Sequence, residues 1–220
     1  MQSVGELVEG LRKLRTGALL SIVSTILAFV GLAVIFASVG FAVSTDPNAI
    51  MAMLGTAAIG LGLLAATLVL SLIAFILWFM ATGHFKRHDP VKLGIGRLGM
   101  ILVVVGIILV LAMMVVIVVG AVAGSLGVFV SALMGGIVIA VLGGVLAFVG
   151  VILFALMLMR LPETPKVDSS LKTAGILYII GMILSFILIG AVLMLVAVIL
   201  IYTGSGVSIK ALQVTAPPPP

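Results

Sequence analysis

The 220-residue chain has no cysteine, and its long apolar stretches, about 17–43, 50–82, 98–122, 128–159 and 174–203, contain no Asp, Glu, Lys, Arg or His. The first absence excludes disulfides, thiolate metal centres and thiol catalysis. The second removes the ionisable groups that mark proton relays, ion pathways and gating in lipid. A proton-coupled transporter, an intramembrane metalloprotease and a haem protein with buried histidine ligands are thereby disfavoured, and a serine-based intramembrane enzyme would lack its base. Amide side chains are scarce too: Gln2, Asn48 and Gln213 are all there are. That scarcity fits avoidance of heat-labile residues, although any strongly apolar chain is also amide-poor.

Charge itself is short, at 8% of residues against 64% hydrophobic, with a mean hydropathy of +1.56. Soluble domains carry about 25% charged residues, so this chain cannot cover a surface in water. It reads as an all-α, polytopic integral membrane protein of the cell membrane. Four intervals, residues 16–45, 47–85, 98–159 and 173–209, lack Asp, Glu, Lys and Arg altogether. About 20 residues of helix cross a hydrocarbon core of about 30 Å. The third interval is long enough for two crossings, and Gly120, Gly124, Ser125 and Gly127 place a tight hairpin within it. The expectation is five transmembrane helices at about 17–43, 50–82, 98–122, 128–159 and 174–203, preceded by an amphipathic segment at 1–16 and followed by a short Pro-rich tail at 204–220.

Lys and Arg in short loops stay on the cytoplasmic side. Five crossings put ten of the eleven basic residues on one side and leave only Lys210 opposite. An inside N-terminus and an outside C-terminus follow, and the pI near 10 is explained by topology rather than nucleic-acid binding. A signal peptide is not expected, because the first apolar stretch is too long for an h-region. Arg12, Lys13, Arg15, Lys86, Arg87, Lys92, Arg97, Arg160 and Lys172 are the candidates for contact with lipid headgroups.

Several local patterns stand out. Ser3 to Glu6 forms a capping-box sequence, and Val4, Leu7, Val8, Leu11 and Leu14 then share one helical face, to lie on the membrane, dock a partner or pack on the protein's own loops. Arg15-Thr16-Gly17 and Arg97-Leu98-Gly99 open helices one and three 82 positions apart, and Lys172-Thr173-Ala174-Gly175 resembles them, which suggests a duplicated hairpin. Small residues at four-residue spacing, Ala58, Gly62 and Ala66 in helix two and Ala132, Gly136, Ala140 and Gly144 in helix four, are candidate helix-packing faces, within the monomer or between copies. His84 and His88 stand i, i+4, a spacing that two metal ligands could use. Lys86, Arg87 and Lys92 would repel a cation there, so no metal and no other cofactor is expected.

The segments 9–17 (EGLRKLRTG), 93–99 (LGIGRLG), Arg160-Leu161 and 171–177 (LKTAGIL) together resemble the archaeal membrane-protein family catalogued as domain of unknown function 973. The resemblance spans nearly the whole chain and implies a multi-pass protein of thermophilic archaea. It supplies no activity and no catalytic residues. The expected function is therefore non-enzymatic, structural or accessory, through packing with itself, another membrane complex or lipid. The alternative is a passive channel or facilitator for a small or apolar solute, lined by hydroxyls and glycine backbone.

Overall fold

The computed structural model describes residues 2–39, 47–122, 125–186 and 188–214. These form six α-helices: α1 (Gln2–Val39), α2 (Pro47–His88), α3 (Gly94–Val122), α4 (Leu126–Arg160), α5 (Ser170–Ile183) and α6 (Leu188–Gln213). Five of them, all but α5, are long and apolar enough to cross a membrane. The expected turn at residues 44–48 falls largely outside the described residues, as do the tip of the second hairpin at 123–124 and the four terminal prolines.

The amphipathic segment is no separate helix. It runs without a break into the first span, so that α1 has 38 residues, about 57 Å at 1.5 Å per residue. Its apolar face is internal: Leu7, Leu11 and Leu14 are buried. At the other end of the hairpin α2 closes on Asp89, whose Oδ1 accepts the amides of Val91 at 3.1 Å and Lys92 at 2.9 Å and so turns the chain into α3.

The span expected at 174–203 is instead two helices. A 3-10 turn at Leu184–Phe186 breaks it, and α5, with 14 residues or about 21 Å, is too short to cross a hydrocarbon core of about 30 Å. It enters, turns and returns as α6. Gly190 permits the turn, for a Cβ there would lie 2.2 Å from the carbonyl oxygen of Leu184. The far part of α6 comes back to the end where α1 begins: Arg15 donates to the Tyr202 hydroxyl at 3.3 Å, and the Asp168 amide donates to Ser208 Oγ at 2.9 Å. The expectation of termini on opposite sides is thus corrected. Gln2 and Gln213 lie at one end of the bundle, and Lys210 joins the other ten basic residues there.

Packing differs between the two ends. Large buried side chains, among them Leu11, Trp78, Phe85, Leu93, Met157, Leu161, Leu171 and Ile201, gather at the basic end, where all three hairpins meet. Farther out, beyond Met100 and before Phe154, the only buried residues of α3 and α4 are glycines: Gly106 and Gly120 on one helix, Gly136, Gly143 and Gly150 on the other. The physical reason is the solvent. Near water the hydrophobic effect drives apolar side chains together, whereas in lipid there is no such force and helices associate by close approach of small residues and by hydrogen bonds.

Candidate functional site

The small residues that join the helices recur at multiples of seven positions. On α1 they are Gly10, Gly17, Ser24, Gly31 and Ser38; on α2, Gly60, Thr67, Ala74 and Ala81; on α3, Gly99, Gly106 and Gly120; on α4, Gly136, Gly143 and Gly150. A seven-residue repeat holds one face against a partner as the pair winds left-handed. A Cβ on Gly99 would lie 2.5 Å from the carbonyl oxygen of Gly150, and one on Gly106 equally close to that of Gly143. Between α1 and α2, Ser24 Oγ donates to the Thr67 carbonyl at 3.1 Å and lies 2.6 Å from Ser71 Oγ.

The four-residue stripes lie mostly elsewhere. Ala58, Gly62, Ala66 and Gly144 are exposed, and a Cβ on Gly62 or Gly144 meets nothing within 4 Å. Of the second stripe only Gly136 is buried; Ala132 and Ala140 are half-buried at the edge of the seam. Four-residue spacing therefore tracked the internal seam for part of α4 and the outward face for α2.

The second feature is a polar girdle at the basic end. Six of the nine candidate headgroup residues are engaged within the protein. Arg12 meets Glu9 at 3.5 Å, Arg87 meets Glu6 at 3.5 Å, and Lys92 meets Glu163 at 3.5 Å. The Arg15 guanidinium lies 4.8 Å from the centre of the Tyr202 ring. Arg97 stacks 3.6 Å over Phe79 and donates to its carbonyl, reaching across α2 where Gly83 leaves room. Lys13 Nζ lies 2.8 Å from His84 Nε2. Among the described residues Lys86, Arg160 and Lys172 form no ion pair, and the last two line a surface recess of about 350 Å³ beside Glu163.

His84 is bonded on both sides, with Nδ1 on Glu6 Oε2 and Nε2 on Lys13. A lysine ammonium can only donate, so Nε2 accepts, and the ring proton sits on Nδ1, donated to the carboxylate. Both nitrogens being occupied, the i, i+4 histidine pair has no free lone pair on His84 for a metal. Among the described residues no group of three or more His, Cys, Asp or Glu is placed to hold one. The sequence offered no hint of this link, since Glu6 and His84 are 78 positions apart. Substituting His84→Ala should destabilise the fold by about 1–2 kcal/mol, since it leaves two charged partners unbridged. Thermal unfolding in detergent checks this, and His84→Gln, which can still accept and donate, should recover part of the loss.

The girdle and the seams together describe an apolar bundle with one charged end. No curated protein and no solved structure is detectably similar to the chain. A family model does match it, over residues 7–219, which takes in the seams and all of the girdle but Glu6. The chain belongs to that family, described as protein of unknown function (DUF973).

Proposed function

We propose that the protein is a non-enzymatic scaffold of the cell membrane, which works by lateral association of its exposed hairpins with a second copy or a neighbouring membrane complex. The observation that carries this reading is the outward face of α2. There Ala58, Gly62 and Ala66 form an exposed groove one turn apart, and a Cβ on Gly62 meets nothing within 4 Å among the described residues. Such grooves let a second helix approach closely enough to gain dispersion contacts in lipid. With all eleven basic residues at one end, the charge bias favours that end as cytoplasmic. Lys86, Arg160 and Lys172 are then placed to attract anionic headgroups, at about 1 kcal/mol each.

The test is the particle mass in lipid nanodiscs. An oligomer is expected for the native chain and a monomer for Gly62→Ile, with the unfolding midpoint unchanged because a Cβ at position 62 meets nothing within 4 Å among the described residues. A native chain that stays monomeric at every concentration would defeat the proposal. A second reading, passive passage of a small apolar solute, draws on a hydroxyl-lined cavity between α1, α2 and α6; solute flux into liposomes containing only this protein would favour it.

A further inference from the structure

That cavity has a volume of about 370 Å³ and lies between the first hairpin and the α5–α6 hairpin. Small-molecule sites run from about 300 to 1,000 Å³, with apolar walls and a few convergent polar groups. Its walls here are Phe75, Trp78, Met194 and Leu195, and its polar groups are hydroxyls, with no charged side chain among the lining residues.

Two of those hydroxyls have no hydrogen-bond partner among the described residues. Ser24 and Ser71 bond each other, and Thr25 donates to the Ser21 carbonyl at 2.8 Å. Ser21 Oγ and the Tyr178 hydroxyl make no hydrogen bond among the described residues. A serine can turn back to its own helix, but a phenol reaches too far from its backbone to do so. Nor can the Tyr178 ring swing away, because it is held edge-on against Trp78 and Phe154, with ring centres 6.3 and 6.2 Å apart. A donor fixed in an apolar cavity is costly until an acceptor arrives.

We infer that this cavity binds a neutral, lipid-soluble molecule that presents a carbonyl oxygen on a flat ring, of the quinone type. Tyr178 donates to the carbonyl, Ser21 supplies a second donor, and the ring lies against Phe75 and Trp78. The volume takes the ring and the start of a tail, which leaves sideways into lipid past the exposed Ser71. A charged ligand is excluded by the lack of any counter-charge in the lining.

Trp78 is the chain's single tryptophan, so its fluorescence reports on this cavity alone. The probe is decylbenzoquinone, titrated into the full-length protein in phosphatidylcholine nanodiscs. Saturable quenching is expected, weakened about five- to tenfold by Tyr178→Phe, the loss of one hydrogen bond, and abolished by Ala191→Phe, which fills the cavity. Quenching that rises linearly with probe and is the same in both variants is mere partition into lipid and overturns the inference. So does saturable quenching indifferent to Tyr178→Phe, a variant that keeps the ring and needs no repacking.

Discussion

Replacing Gly143 by valine is expected to destabilise the protein by about 3 kcal/mol, while the same change at the adjacent Gly144 should alter stability by no more than about 0.5 kcal/mol. The two positions share a helix, a depth in the membrane and a propensity, so only the face differs. A Cβ at Gly143 would stand 2.8 Å from the carbonyl oxygen of Gly106 and 3.0 Å from Leu109 Cβ, whereas one at Gly144 meets nothing within 4 Å. The oxygen belongs to the backbone and cannot rotate aside, so α3 and α4 must part along the seam. Because no hydrophobic force holds the pair together in lipid, the lost contacts are not made up elsewhere. Thermal or denaturant unfolding in detergent reads the difference. Equal effects at the two positions would disprove the seven-residue seam.

An all-or-none result is expected from surface labelling. The chain has no cysteine, so each introduced thiol reports alone. Val214→Cys and Lys166→Cys should react with an impermeant maleimide from the same face of sealed vesicles, and Ser125→Cys only from the opposite face. Val214 follows α6 directly, and Lys166 lies in the connection into α5, which is fastened to α6 through Ser208. Ser125 immediately precedes α4, at the far end of the bundle. If Val214 labelled together with Ser125, the re-entrant hairpin would be wrong and a single fifth crossing right.

The spans were legible because lipid tolerates few charges, and the charged residues that remain mark the basic-end limits of the first four spans within a few residues, while the turn between α3 and α4 was read from Gly120, Gly124, Ser125 and Gly127. The fifth was misread for a physical reason. Thr203, Ser205 and Ser208 look like the start of a polar tail, yet each hydroxyl donates to the carbonyl four residues earlier, at Ile199, Ile201 and Gly204. The helix therefore carries them onward, and the room for a returning pair is 170–213 rather than 174–203. The Lys172 to Gly175 segment was a trace of this, resembling the openings of the two earlier hairpins. The packing faces were half legible: a single helix displays four-residue stripes, but a wound pair meets every seven, so Gly62 and Gly144 drift off the contact face. The girdle was invisible, because Lys13 and His84 are separated by 71 positions and no local pattern joins them.

With every connection that carries more than one charge at a single end, each hairpin can enter a membrane from that side as a unit. For the first two hairpins only the connection between the helices must be carried across: residues 40–46, with Asp46 as the sole charge, and the uncharged 123–125. The re-entrant third hairpin, whose turn at Leu184–Phe186 is uncharged, needs no such passage. A charged residue costs roughly 2.5–3.5 kcal/mol at a helix centre on insertion scales, and in this chain biosynthesis meets that barrier at one residue only. The uneven charge of the bundle thus gives insertion from one side the lower barrier.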